Sequence, residues 1–233
     1  MKTACTIILF HVLLSSIGQA DIIYDFDFEP PDFTVDTQIT NGPGLMADGN
    51  VFVRTGIADF STQVASLEPA GGLSFGVTQS LTSGIVSISW DMALVVFGAP
   101  LGNTLSFGVG SNSEGGGLFG ASYNSDGTIH DVYDVSLGIG YALGVQNHFQ
   151  LLIDLDTDSL DFLVDGGVVV DNASISPTIS PEAIVFSRGY LKSPQYAIDN
   201  FRWEVIPEPT SLILILFGGF PIYCTRRRKQ NRI

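Results

Sequence analysis

The chain has 233 residues, 24 acidic against 10 basic side chains for a formal charge of −14, and only two cysteines. So large an excess of carboxylates excludes the basic surface that a nucleic-acid partner requires. Cys5 and Cys224 stand near opposite ends, which excludes a disulfide framework for everything between them.

At the N-terminus Lys2 precedes an apolar run over 7–14 and then Ser15-Ser16-Ile17-Gly18-Gln19-Ala20. This is the charged, apolar and small-residue order of a secretory signal peptide over 1–20, with cleavage expected between Ala20 and Asp21. The exported segment then runs over 21–206 with 23 acidic and four basic side chains (Arg54, Arg188, Lys192, Arg202), a net of −19. Its stability must come from an apolar core, for which the length suffices.

Period-2 alternation recurs through this segment, whereas no long window carries a 3.6-residue period. In 22–28, Ile22, Tyr24, Phe26 and Phe28 share one face, and Asp25 and Asp27 the other. Shorter strands are expected over 51–54 and 73–78. Val86, Ile88, Trp90 and Met92 oppose Ser87, Ser89 and Asp91, placing Trp90 in the core. Leu105, Phe107 and Val109 alternate likewise. The glycine-rich 110–120 reads as a long loop or bulged edge, with a strand over 117–123. Phe149, Leu151, Ile153 and Leu155 form a further inward face, followed by a turn over 156–159 and a returning strand over 160–164. Short strands over 167–170, 183–187 and 196–205 complete the pattern. So many short strands, separated by Gly, Asn, Asp and Pro, predict an all-β, two-sheet antiparallel sandwich.

The run His148-Phe149-Gln150-Leu151-Leu152-Ile153-Asp154-Leu155-Asp156-Thr157-Asp158-Ser159-Leu160-Asp161-Phe162-Leu163-Val164-Asp165-Gly166 resembles the hairpin of laminin-G and concanavalin A-like sandwiches. The closing Tyr196-Ala197-Ile198-Asp199-Asn200-Phe201-Arg202-Trp203 is similar to the last strand of such exported domains. These resemblances imply a jelly-roll order and a lectin-like carbohydrate-recognition module.

Asp154, Asp156, Asp158 and Asp161 are the candidate cation ligands, because calcium takes six to eight hard oxygens. Ser159 stands where an EF-hand loop requires glycine and no glutamate closes the loop, so a solvated turn is the plainer reading and no cofactor is expected. Asp25, Asp27 and Glu29 read as an outward strand face. Two facing carboxylates would be needed for glycoside hydrolysis. The E-x-D-x-x-E strand of sandwich glucanases is missing, and Glu29, Glu68, Glu114, Glu182 and Glu204 are scattered. His130 and His148 read as strand-end polar residues, and no G-x-S-x-G elbow, zinc spacing or phosphate loop is present. Tyr190, in Arg188-Gly189-Tyr190-Leu191-Lys192, is the sugar-stacking candidate; Tyr123, Tyr133, Tyr141 and Trp203 are others. Asn172-Ala173-Ser174 fits a glycosylation acceptor and reads as incidental.

The tail carries Pro207-Glu208-Pro209, 15 uncharged residues over 210–224, and a basic end over 226–232. As a helix the apolar stretch would span about 22 Å at about 1.5 Å per residue, short of the roughly 30 Å hydrocarbon thickness. The arginines and lysine favour the cytoplasmic side. Motif, apolar span and basic end in this order resemble the PEP-CTERM sorting signal over 207–233. The resemblance implies recognition of Pro207, Glu208 and Pro209 by a membrane-embedded exosortase and removal of the tail. The expected whole is a sandwich with a hydrophobic helix at each end, membrane-held by the C-terminal one until processing. Its expected role is non-catalytic, at the cell envelope or in an exopolysaccharide matrix. A polysaccharide-binding module is the alternative, and a glycoside hydrolase or lyase stands behind it.

Overall fold

The computed structural model describes residues 20–68, 71–77, 81–96, 107–111, 117–186 and 195–206. The body is the unit Ile22–Val205. The second unit, Met1–Asp21 with Ile206–Ile233, lies outside the described residues except for Ala20, Asp21 and Ile206. The signal segment, Pro207-Glu208-Pro209, the apolar tail and Tyr190 are therefore outside them. Among the described residues, no helix is long and apolar enough to cross a membrane.

Fifteen strands are described: β1 (Asp21–Phe26), β2 (Leu45–Asp48), β3 (Val51–Thr55), β4 (Gln63–Leu67), β5 (Gly72–Gly76), β6 (Ile85–Val96), β7 (Phe107–Gly110), β8 (Gly117–Tyr123), β9 (Thr128–Asp131), β10 (Ser136–Gly140), β11 (Asn147–Asp154), β12 (Ser159–Val164), β13 (Gly167–Ser174), β14 (Ala183–Phe186) and β15 (Gln195–Ile206). They form two antiparallel sheets. The first has the order β13-β12-β11-β6-β15-β4-β3, with β1 also pairing to β15; the second has β10-β9-β8-β7-β14-β5-β2. The chain crosses between sheets repeatedly, so β14 and β15, last in sequence, occupy central places.

The faces expected of β11 and β12 hold, whereas on β1 Ile22, expected to share the face of Tyr24 and Phe26, is 51% exposed, and Leu155 falls beyond the end of β11. Phe149, Leu151 and Ile153 are buried on β11, and Leu160, Phe162 and Val164 on β12. The two strands register from Phe149 opposite Val164 to Asp154 opposite Ser159. Asp165 and Gly166 then turn the chain into β13 with φ of 50° and 78°. Two successive positive φ angles are what a two-residue type I′ hairpin needs.

Between the sheets lies an aromatic layer. Trp90 of β6 meets Phe107 of β7 edge-on at 4.7 Å and Phe186 of β14 at 5.4 Å. Phe75 of β5 stacks on Phe201 of β15 at 3.7 Å with planes 7° apart. Phe119 of β8 packs on Phe162 of β12 at 4.9 Å. Such ring pairs add to the transfer free energy of burial.

A smaller apolar cluster lies on the outer face of the first sheet. There Phe60, from the loop between β3 and β4, packs with Val64, Ala93 and Ala197. The loop thus buries both faces of β4, and all five residues of that strand are buried.

Replacing Phe201 by alanine removes the ring that stacks on Phe75 and leaves a cavity between the sheets. The expected loss is about 3–5 kcal/mol of folding stability, read as a lower midpoint in urea unfolding with an unchanged slope.

Candidate functional site

Two cavities of about 390 and 400 Å³ lie beside β2 and share Gly42, the first reached by Met46 and the second by Leu45; together they are called the groove. Clefts for small ligands occupy roughly 300–1,000 Å³. The floor of the first is the outer face of the second sheet, where Met46 of β2 pairs with Ser74 of β5. Their neighbours Leu45, Leu73 and Phe75 face the core. Glu182 and Ser111 line its far side. The second cavity lies under the loop joining β1 to β2, lined by Phe33 with Asp32, Thr37, Gln38 and Asn41.

That loop is pinned at several points. Asn41 Oδ1 accepts from the Ala47 amide at 2.8 Å, Gln38 Nε2 donates to the Gly49 carbonyl at 2.8 Å, and the Ile39 amide donates to the Val51 carbonyl at 2.8 Å. Phe33 packs on Phe28 at 5.1 Å and on Phe26 at 6.4 Å. Polar groups beside a fixed aromatic ring, held before a ligand arrives, lower the ordering cost of binding. Tyr24 reaches two glycines that line the first cavity, Gly44 and Gly76. Its hydroxyl donates to the Gly76 carbonyl at 2.6 Å and occupies the space that a side chain at Gly44 would need. Burial raises the Tyr24 pKa, so the phenol stays a donor.

A second polar constellation lies on the outer face of the first sheet. Asp91 of β6, 7% exposed, sits opposite His148 of β11. Its Oδ1 is 2.7 Å from His148 Nδ1, and its Oδ2 accepts from Asn200 Nδ2 at 2.6 Å. The buried carboxylate thereby fixes the half-exposed imidazole, leaving Nε2 outward as in oriented histidine sites. Among the described residues no hydroxyl or thiol hydrogen-bonds to that nitrogen, so a nucleophile–base pair is not assembled.

Next to Asn200, Asp199 is 1% exposed. Thr62 donates to its Oδ2 at 2.8 Å, while Oδ1 is buried without a hydrogen-bond partner. Burial pushes this carboxyl from 3.8 up to about 6; Thr62 pulls the other way, and Asp91 and Glu29 add to the rise. Glu29 itself accepts from the Gln63 amide at 2.7 Å and from Gln63 Nε2 at 3.1 Å.

His130, read as a strand-end polar residue, stands next to the last residue of β9. It is 8% exposed on β9 and held between two carboxylates, Asp126 Oδ2 at 2.9 Å from Nε2 and Asp134 Oδ1 at 2.8 Å from Nδ1. Burial opposes its charge, the hydrogen bonds of Asp126 and Asp134 outweigh that, and its pKa is raised. With both nitrogens engaged, it cannot act as a base for Ser122, its partner across β8 and β9.

The acidic turn spends its carboxylates on the backbone. Asp154 Oδ1 accepts from the amides of Asp156 and Thr157, Asp156 Oδ2 from Gly84, and Asp161 Oδ1 from Asn172. Asp158 has φ of 52°, a turn conformation. Among the described residues, no three His, Cys, Asp or Glu side chains are placed to hold a metal ion. The described glutamates are dispersed as well. Glu68 pairs with Arg54 at 2.7 Å, Glu204 with Arg202 at 3.0 Å, Glu29 with Gln63, and only Glu182 reaches the groove. Of the aromatic candidates, Trp90, Trp203 and Tyr123 are core residues, and Tyr133 is 84% exposed. The Tyr141 hydroxyl donates to the Asn124 carbonyl. Phe33, Met46 and Ser74 escaped sequence reasoning, although Asn41-Gly42-Pro43-Gly44 carries a turn signal next to them.

Two outcomes follow from this geometry. Gly44→Ala forces a side chain into the Tyr24 hydroxyl at a position with φ of 72°; it should cost about 2 kcal/mol or more and lower the thermal midpoint. Asp199 is protonated in the fold between about pH 4 and 6, where the unfolded chain has lost its proton. Its contribution is therefore fully present below 3.8 and is lost as pH rises through about 6. A rise of about two units is worth about 3 kcal/mol. Asp199→Asn should be more stable than the parent at pH 8 in urea unfolding, and the gap should close by pH 4.

No protein-family model matches the chain, and no curated protein matches it in sequence. Solved structures do match in fold. A carbohydrate esterase of the Shiga toxin-encoding bacteriophage phi24B aligns with a TM-score of 0.55 at 14% identity, covering 81% of this chain and all of that one. The receptor-binding domain of botulinum neurotoxin D aligns at 0.54 and 13% identity, over 85% of this chain and 52% of that one. Trypanosoma rangeli sialidase aligns at 0.50 and 12% identity, over 84% of this chain and 36% of that one. This chain thus spans about half of the toxin domain and a third of the sialidase. At these identities the likeness is one of fold, a two-sheet antiparallel sandwich.

Proposed function

We propose that this protein is an exported, non-catalytic carbohydrate-binding sandwich of jelly-roll, concanavalin A-like type, working at the cell surface or in the extracellular matrix. The groove carries the binding half of the reading. It comprises two ligand-sized cavities beside β2, one of them with side-chain amides, hydroxyls and a carboxylate around Phe33 under a loop already tied down. Hydroxyl-rich ligands are recognised by such mixed donors and acceptors next to an apolar ring face. The non-catalytic half is supported by the engagement of the residues that could do chemistry. His130 is clamped, Asp91 is committed to His148 and Asn200, and the acidic turn serves its own backbone. The matched esterase and sialidase bear on this reading only through the shared fold.

Export and sorting rest on the ends of the sequence. The 1–20 segment supports cleavage between Ala20 and Asp21, and Pro207-Glu208-Pro209 with the apolar and basic tail supports exosortase-type processing at the membrane. In this reading the C-terminal helix is a temporary membrane handle and the sandwich is what reaches the outside.

Full-length protein passed over immobilised neutral, basic and uronic polysaccharides should be retained on at least one of them, with and without EDTA. Retention on none would sink the binding assignment. Intact mass of protein recovered from the envelope should begin at Asp21 and end near Pro207; a mass matching all 233 residues would overturn the sorting assignment.

A further inference from the structure

Segment 56–62, between β3 and β4, covers part of the outer face of the first sheet, and one of its fastenings is ionisable. Phe60 is 6% exposed and packs with Val64 of β4, Ala93 of β6 and Ala197 of β15, with Ile57 and Ala58 beside it. Asp59 Oδ1 accepts from the Gln146 amide at 2.8 Å. The Thr62 hydroxyl donates to Asp199 Oδ2 at 2.8 Å. Asp199 lies just beyond Ala197 on β15, is 1% exposed, and keeps Oδ1 buried without a hydrogen-bond partner. Ala58 is held at φ of 55°, a conformation an alanine adopts only under constraint, so release of the segment also relieves strain.

Such a place tolerates a carboxylic acid and resists a carboxylate, because an ionised oxygen that accepts nothing has lost its water without replacement. The surrounding charges reinforce this. Asp91 of β6 and Glu29, from the segment after β1, add negative potential at Asp199, and His148 of β11 is engaged by Asp91. Of the described arginines, Arg54 pairs with Asp36 and Glu68, and Arg202 with Glu204 and Asp25. To ionise, Asp199 must either hold a buried charge or admit water by lifting the segment. Lifting gives up the small cluster around Phe60 and leaves the main core, on the other face of the sheet, intact. Openings of this local kind need far less than global unfolding. We propose that 56–62 is a pH-sensitive cover, closed in acid and opened when Asp199 loses its proton, which bares Val64, Ala93, Ala197 and Asp199 itself.

Linkage fixes the size of the effect. The carboxyl sits at about 6 under the cover and at 3.8 when free, so its support for the closed state is fully present below 3.8 and is lost as pH rises through about 6. Between pH 5 and pH 8 the opening constant should rise about tenfold. Hydrogen exchange of the full chain in a neutral detergent, read by mass spectrometry and corrected for intrinsic rates, compares peptides over 56–66 with those of the β11–β12 hairpin. In low urea the 56–66 amides should exchange through an opening that urea does not change, and its constant should show the tenfold rise. The hairpin should exchange through the urea-dependent opening of the whole fold. Asp199→Asn should hold the 56–66 opening within twofold across the same pH range. His148→Gln, which removes the imidazole beside Asp91, should keep the tenfold rise. Thermal melts establish that each variant is folded, and Asp199→Ser replaces Asp199→Asn if it is not.

Exchange of 56–66 only through the urea-dependent opening would overturn the cover, because the segment would then move with the whole fold. An opening constant equal at pH 5 and pH 8 would overturn its pH sensitivity. A tenfold rise that survives in Asp199→Asn, or one that disappears in His148→Gln, would overturn Asp199 as the trigger.

Discussion

The structure depends on the aromatic contact between its two sheets. With no cysteine between Cys5 and Cys224, nothing covalent joins them, and the layer built from Trp90, Phe107, Phe149, Phe162 and Phe186 with the Phe75–Phe201 stack must hold them together. The layer places packing above polar satisfaction. Trp90 and Trp203 bury indole N–H groups that have no hydrogen-bond partner, an expense of about 1–3 kcal/mol each that only a large apolar contact offsets. Because β14 and β15 are both late in sequence and central in their sheets, this layer is complete only when the last strands arrive.

Once the aromatic layer takes the inner faces, the outer faces are left to polar chemistry, and the two sheets use them differently. On the first sheet, Phe60 and its loop cover part of the face, and buried carboxylates gather at the margin of that cover: Asp91 with two partners, Asp199 with one oxygen unpartnered. Burying two acidic groups close together costs stability at neutral pH, which is why Asp199 retains its proton to about pH 6. On the second sheet, the face beside β2 stays open and lined by small residues. The first cavity lies on that face, and the second lies beside it under the loop joining β1 to β2.

The carboxylate excess links these features to function. Structural needs absorb many of the acids: the Arg54 and Arg202 pairs, the His130 clamp, and the turn amides capped by Asp154, Asp156 and Asp161. Among the described residues, no three His, Cys, Asp or Glu side chains are left placed to hold a metal ion. Of the described residues, those lining the cavities beside β2 include polar side chains that these uses do not absorb.

The sequence by itself determined the class of fold and the faces of its long strands. Alternation at Val86–Met92 and Phe149–Ile153 survives because one face of each strand is apolar and the other polar, and that pattern is local. It failed for β4, where Phe60 covers the second face and leaves five buried residues with no period, and for β2, β9 and β10, only four or five residues long. The sites were legible only in part. Asp126, His130 and Asp134 are near in sequence, but their meeting requires the β8–β9–β10 turns; Asp91, His148 and Asn200 come from three strands. The groove is the extreme case, with Asp32, Gly44, Ser74 and Glu182 drawn from segments up to 150 residues apart. Only tertiary structure could decide that. A strand's own residues fix which face it buries, whereas the strand beside it is chosen by the packing of the whole core.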